Sequence, residues 1–423
     1  MIINMVLNLN FNLISKNMYR MKWKLIATIL LIVIVSLNIS CGSRSMTITW
    51  DSVQQPEISN NFNLKVYIEN SGSMDGYMCD GSELKDAVYS YASTLSSYAD
   101  TTELNYINSK IIPYHNEIKS FIRDLTPQKF RTAGGDRSNS DIAAMFEDIL
   151  NQTDDNTISI FVSDCILDVP NGDATDFFEN RSIDIRNAFT KHLNKHTSLG
   201  VEIFRLESTF KGWYYYSKGK EFLDNVKRPY YMWVIGNKNI LAYVNKQVPF
   251  SEIKHGVKNY FAFSTNSIVP FEITNTKGIA KGSYCIPSKT RDGNYEFLIK
   301  TNLQSTLQGT DVLSNSLNYN TITSSIIVNG VTELSGSSSS LYSHMISVII
   351  TNTSKSFAER ISLKPLSVPA WLEEVNDDSG RDVRKNIDKT TGVKYLIQGV
   401  ADAYNYKKQE QLMEIKFVVR TVK

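Results

Sequence analysis

Glu69, Ser71 and Ser73 alternate through the segment Glu69-Asn70-Ser71-Gly72-Ser73-Met74-Asp75-Gly76, directly after the apolar run 64–68. Residues two apart in an extended stretch point the same way, so one carboxylate and two hydroxyls converge. Hard cations such as Mg²⁺ take oxygen ligands and keep several waters, so few protein groups suffice to hold one. A second acid, Asp164, follows another apolar run, 158–162. Between the two lies a Gly134-Gly135 loop that carries Ser138 and Ser140 into a helical pattern. Ligands of open α/β sheets bind beyond the carboxyl ends of the strands, which is where all of these residues fall.

Other chemistry is weaker. His192 and His196 stand four apart on a predicted helix, a spacing able to grip a metal, but Lys191 and Lys195 flank them and no HExxH arrangement exists. We read that pair as a solvated helix face. A serine-hydrolase role for Ser71 or Ser73 fails the Gly-x-Ser-x-Gly elbow, because Glu69 stands where Ser71 needs the first Gly. None of the five histidines has a local context that marks a catalytic base. Trp213-Tyr214-Tyr215-Tyr216 reads either as an exposed ligand platform or as packing against a second domain. Binding is therefore favoured over catalysis.

The elements that position these groups follow from periodicity. Runs 64–68, 104–114, 158–162, 201–206 and 230–236 are strand-like. They alternate with helical segments at 83–98, 117–125, 141–151, 183–196 and 239–247. In the third of these, Ile142, Met145, Phe146, Ile149 and Leu150 share one helical face. Such alternation demands a sheet with parallel strands and helices on both faces. After Pro249 strand-like runs dominate, separated by Asn/Gly/Ser/Thr clusters such as 336–340, with a helical segment near 393–404. That half reads as a mainly antiparallel β domain with a late helix.

The three-part pattern resembles the von Willebrand factor type A domain. Its metal-ion-dependent adhesion site combines Asp-x-Ser-x-Ser, a later loop Thr and a later Asp. Here Glu69 replaces that Asp, while Ser71 and Ser73 match. The family's Gly-Gly-Thr loop resembles 134–145, and counting back from the helix puts Ser138 at the Thr position, with Ser140 as the alternative. Phe161-Val162-Ser163-Asp164-Cys165 matches the strand that ends in Thr-Asp-Gly, which makes Asp164 the third-loop carboxylate and puts Cys165 in place of Gly. The resemblance covers residues 62–247. It implies a doubly wound, mostly parallel, Rossmann-like sheet, with Mg²⁺ (or Mn²⁺ or Ca²⁺) held by Glu69, Ser71, Ser73, Ser138 and Asp164. It also implies an open coordination position that a protein partner's carboxylate completes.

At the N-terminus, 25–39 is mostly apolar and follows Met21-Lys22-Trp23-Lys24, a positive n-region and an h-region of signal-peptide length. The run ends in Ser40-Cys41-Gly42, which resembles the lipobox of bacterial lipoproteins and implies cleavage before Cys41 and its diacylation. Asn38 stands where that family prefers Leu, with Leu37 one step back. The alternative is a plain membrane anchor with Cys41 unmodified; in both cases the rest of the chain lies outside the cytoplasm. Cys79, Cys165 and Cys285 then form an odd set, which cannot close a disulfide framework. A Cys79–Cys165 bridge and buried free thiols are the two readings, and we favour the thiols.

The first forty residues carry four basic side chains and no acid, and without them the net charge falls from +2 to −2. With no Lys/Arg block either, nothing points to nucleic acid. The expected organisation is a signal region at 1–40, a lipid-anchored polar tether at 41–61, the α/β domain at 62–247 and the β-rich domain at 248–423. The expected function is a non-enzymatic lipoprotein of the bacterial cell envelope that recognises a protein partner through a divalent cation. The alternatives are glycan or substrate binding through the β domain, and a cryptic hydrolase.

Overall fold

A computed structural model describes residues 45–53, 60–138, 140–167, 169, 174–216, 219–334, 341–351, 355–365, 367–407 and 410–422. The expected signal region and Cys41 lie outside the described residues. In chain order the first half contains β1 (Ser45–Thr49), β2 (Asn63–Glu69), α1 (Glu83–Ser96), β3 (Thr101–Ile107), β4 (Ile111–Tyr114), α2 (Ile118–Arg123), α3 (Pro127–Arg131), α4 (Ile142–Asn151) and β5 (Thr157–Ser163). It continues with α5 (Ala174–Leu193), β6 (Leu199–Tyr216), β7 (Gly219–Asn237), α6 (Lys238–Gln247) and β8 (Asn259–Ser264).

Seven of these strands form one sheet in the order β4-β3-β2-β5-β7-β6-β8. Val66, Ile160 and Val234 are all inaccessible to solvent, as central strands covered on both faces require. One face carries α1 and α6, through Leu84, Tyr91 and Leu241. The other carries α4 and α5, through Phe146, Ile185 and Phe189. The chain is thus mixed α/β with helices on both faces.

The expectation of a mostly parallel sheet needs correction. Only β3, β2 and β5 run parallel; β4, β7, β6 and β8 all pair antiparallel. The cause is the connection between β6 and β7. Only two residues, 217–218, separate them, and strands so closely joined pair as one long antiparallel hairpin. Its outer part, from the Thr209–Lys227 pair to the Tyr216–Gly219 pair, runs on past the sheet as a two-stranded ribbon.

The second half contains β9 (Phe271–Asn275), β10 (Tyr284–Cys285), β11 (Ser288–Lys289), β12 (Tyr295–Thr301), α7 (Thr310–Ser314), β13 (Tyr319–Thr321), β14 (Ile326–Glu333), β15 (His344–Ile350) and β16 (Phe357–Leu363). After these come α8 (Trp371–Val375), β17 (Asn376–Asp377), β18 (Thr390–Thr391), α9 (Val393–Tyr406) and β19 (Met413–Val422). Two sheets, β10-β1-β19-β16-β13 and β11-β12-β15-β14 with β9 on β12, have antiparallel pairings throughout. Alternate residues such as Ile299, Ile346, Val348, Ile361, Ile415 and Phe417 fill one core between them.

Three expected boundaries move. Residues 45–49, placed in the tether, are a strand between β10 and β19, with Met46 and Ile48 buried. Met46, Ile48 and Trp50 alternate with Thr47 and Thr49, a period-two pattern too short to stand out in a polar stretch. At the other border, β8 pairs with β6, so the first sheet continues beyond residue 247. The late helix α9, expected in the β domain, packs on α5 instead. A Cβ on Gly399 would stand 2.5 Å from Ser182 O and 2.8 Å from Ile185 Cβ. Gly399→Val therefore drives the helices apart and lowers stability by about 3 kcal/mol, read as a shift in the denaturation midpoint. A change under half that size would mean α9 is held elsewhere.

The two ends of the molecule are also defined. Met413 starts β19 beside Ser267, whose N–H donates to Leu412 O at 2.7 Å, where the two halves meet. The strand then runs outward for ten residues, about 30 Å, to Val422, which pairs with Ser45. The carboxyl ends of β2 and β5 lie at the opposite end, because Ser264 leaves the first sheet level with Gly200, at the edge where β5 begins.

Candidate functional site

β2 ends at Glu69, whose side chain is inaccessible to solvent. Ser140 Oγ donates to Glu69 Oε1 at 2.6 Å, and Ser163 Oγ donates to Oε2. The chain then turns: Asn70 N–H donates to Ile107 O, and a 3₁₀ turn begins at Ser73. Ser71 lies beside Glu69, and its hydroxyl is 2.9 Å from that of Ser73. Ser73 in turn lies beside Asp164, at the end of β5. Oxygen atoms from three separated loops thus gather in one place: Ser140, Glu69, Ser71, Ser73 and Asp164. Cys165 follows with φ 54°, a left-handed turn held by Ser163 Oγ, which accepts from Cys165 N–H at 2.7 Å. A residue with a Cβ is strained there, and the resembled pattern has Gly at this position.

Ser138 is not part of the set. Its hydroxyl donates to Asp136 Oδ1 at 2.6 Å, and the side chain is exposed. The loop runs through Gly134 and Gly135, both at positive φ, and α4 is capped by Asp141, whose carboxylate accepts from Ala144 N–H. Ser140, the residue before the cap, is the one that reaches Glu69. The alternative at this position, Ser140, thus stands where Ser138 was expected.

Three contributors were not legible in the sequence. Ser163 is one. Arg137 is another: it donates from Nε to Asn70 Oδ1 at 2.5 Å and from Nη2 to Ser71 O at 2.8 Å, and it pairs with Asp75. It straps the glycine loop onto the first loop. Arg228 is the third, 1% exposed, with its guanidinium 4.1 Å from the Tyr214 ring centre. It donates to Ile387 O at 3.1 Å and Lys389 O at 3.3 Å, which fastens 387–389 against the ribbon.

Burial sets the electrostatics. Asp164 is pushed up to about 7, first by burial and then by the nearby charge of Glu69, against the pull of Ser73, Ile166 N–H and Arg228. Burial likewise raises Glu69, against three serine hydroxyls. Asp164 Oδ2 is buried and has no hydrogen-bond partner. Two mutually repelling carboxylates, hydroxyl ligands and an orphaned carboxylate oxygen make a donor set that fits a small oxygen-seeking dication. Among the described residues there is no cluster of three or more His, Cys, Asp or Glu, so such a site depends on its hydroxyls.

The set is covered. The ribbon lies over the first loop: Tyr215 comes within 3.4 Å of a Cβ built on Gly72, and Gly76 meets Phe210 and Gly212. Ser71 and Asp164 are only 3% and 2% exposed, and of Glu69, Ser71 and Ser73 only Ser73 is half-buried. The open coordination position that the resemblance implies is thus largely closed.

The remaining candidates separate cleanly. His192 is buried, not solvated: its ring stacks on His196 at 4.4 Å, and His196 Nδ1 lies 2.9 Å from Asp155. Burial and the His196 charge pull His192 down to about 4, so it stays neutral. Cys79, Cys165 and Cys285 are free thiols, the last two buried, and Trp233 Nε1 donates to Cys165 Sγ. Among the described residues no helix is long and apolar enough to cross a membrane. No family model matches this chain, nor does any curated protein or solved structure.

Proposed function

We propose that this chain is a lipid-anchored, non-enzymatic binding protein of the bacterial envelope, built on a von Willebrand factor A-like domain. A divalent cation, Mg²⁺ before Mn²⁺ or Ca²⁺, is held by Glu69, Ser71, Ser73, Ser140 and Asp164. The observation that carries this reading is the meeting of five side chains from three loops above parallel strands. The β4-β3-β2-β5 half of the sheet, with β2 flanked in parallel on both sides, supports the resemblance. The β6–β7 hairpin departs from it. The bound cation would neutralise the facing carboxylates. Because the ribbon covers the ligands, the cation acts by fixing the first loop and the ribbon in the shape that a protein partner meets. Among the described residues none of these serines hydrogen-bonds a histidine, and Ser140 donates instead to the buried Glu69 carboxylate.

Isothermal titration of the chain lacking residues 1–41 with MgCl₂ and MnCl₂ tests the cation. Saturable heat is expected, and the Ser71→Ala, Asp164→Ala double variant abolishes it. A silent titration of the parent protein removes the cation from the proposal. Palmitate labelling that disappears in Cys41→Ser tests the anchor separately.

A further inference from the structure

We infer that the outer face of the β6–β7 ribbon is a binding platform for an acidic saccharide chain. This goes beyond the cation site and does not depend on it. Register places Trp213 opposite Phe222 and Tyr215 opposite Lys220, so these four share one face of the ribbon. The other face is buried: Tyr214 is 5% and Leu223 4% exposed. On the outer face Trp213 and Phe222 remain 43% and 47% exposed, on a segment that projects past the sheet, and Tyr215, 45% exposed, leans with one ring edge on Gly72 of the first loop. Large aromatic side chains left in water together mark a contact surface.

The shape of the face selects the occupant. Aromatic side chains bury 150–250 Å² each, so these three expose about 300 Å² in all. A stable protein interface needs about 800 Å² per partner. The ribbon is only two strands wide, and successive outward pairs stand about 7 Å apart along it. A narrow ladder of rings fits an extended polymer better than a folded surface. Sugar rings present faces of C–H bonds that stack on aromatic rings. Such stacking needs no hydrogen-bonding edge.

Charge narrows the class further. Lys220 Nζ lies 4.8 Å from the Trp213 ring centre, and among the described residues no carboxylate pairs with it. Trp213 meets Phe222 edge-on at 5.5 Å, which holds the indole face in place. Lys211 extends the face, although Asp224 at 3.0 Å offsets it. An ammonium beside an exposed indole suits a saccharide that carries carboxylates, held by stacking and one charge-assisted contact.

The test is isothermal titration of the chain lacking residues 1–41 with polygalacturonate oligomers. Dextran oligomers serve as the neutral control, and phosphatidylglycerol vesicles form the lipid arm. Saturable binding to the acidic oligomers is expected, with weaker or no binding to dextran. Trp213→Ala and Phe222→Ala each weaken it about tenfold. Lys220→Glu, a fully surface change that leaves folding untouched, weakens it and flattens its salt dependence. Leu317→Ala, an exposed apolar residue far from the ribbon, leaves it unchanged. The proposal is overturned if the parent protein shows no saturable binding to the acidic oligomers, or if Lys220→Glu and the Trp213→Ala, Phe222→Ala pair bind them as well as the parent. Ribbon-dependent binding to the vesicles alone, or a dimer that the same pair dissolves, equally overturns it by assigning the face to lipid or to a second copy.

Discussion

Asp164→Asn stabilises the cation-free protein at pH 8 and removes much of its pH dependence. The sign follows from where the carboxyl titrates. Its ordinary value is 3.8 and burial beside Glu69 raises it to about 7, so between these values the folded state keeps a proton that the unfolded chain has released. Stability therefore falls as pH rises from about 4 to 7, and above that the full penalty of up to about 4 kcal/mol persists. Asn keeps the shape and cannot ionise. Glu69 is raised for the same reason, so a smaller slope of the same sign remains in the variant. Mg²⁺ at a hundred times its dissociation constant restores about 2.7 kcal/mol to the parent protein at pH 8 and nothing to the variant. Urea denaturation from pH 4.5 to 8.5, with EDTA and with Mg²⁺, measures both. A variant less stable than its parent at pH 8 would refute the buried, repelling pair. An equal Mg²⁺ gain in both proteins would take Asp164 out of the ligand set.

Arg228→Met has the second large effect, and it runs the other way. The variant leaves Ile387 O and Lys389 O without their donor and loses the stack on Tyr214. Two half-buried carbonyls that lose their donor, with the lost stacking, destabilise by roughly 1–3 kcal/mol together. The guanidinium also lowers Asp164, so its removal moves the midpoint of the pH-dependent stability loss upward. Arg384→Ala is the control. That side chain pairs with Glu221 at 2.5 Å but is 79% exposed, so its loss changes stability by less than about 1 kcal/mol. If both variants behave alike, Arg228 is no anchor for 387–389, and the ribbon is held by its aromatic contacts alone.

The site was legible where its information is local. Glu69 and Asp164 sit at the ends of apolar strand runs, which places them; Ser71 and Ser73 come near them through a turn and a 3₁₀ helix rather than the extended stretch expected there. The face of α4 was readable for the same reason: Ile142, Met145, Phe146, Ile149 and Leu150 are all buried. Between Ser138 and Ser140 a count back from the helix could not choose, because both carry a hydroxyl two residues apart and only the folded loop shows which one reaches Glu69. What stayed hidden depends on pairing across long sequence distances. Strand runs at 201–206 and 230–236 were visible, but the four consecutive aromatics at 213–216 between them mask the alternation that announces a hairpin. Whether neighbouring strands run parallel is decided by that connection. Arg137 and Arg228 are ordinary surface-type residues in sequence, and only the folded contacts bury them. Likewise α9 carries a normal amphipathic face, and nothing in it says which sheet-covering helix it will meet.

The strand at Ser45–Thr49 has a mechanical consequence. If lipid holds Cys41, only three residues, 42–44, separate it from a strand pinned on both sides, a reach of about 14 Å. Tension on that end pulls along the axis of β1 and loads its hydrogen bonds to β10 and β19 together, in shear rather than one at a time. The sandwich then works as a stiff mast, and the ribbon at the other end is carried tens of ångströms out from the membrane.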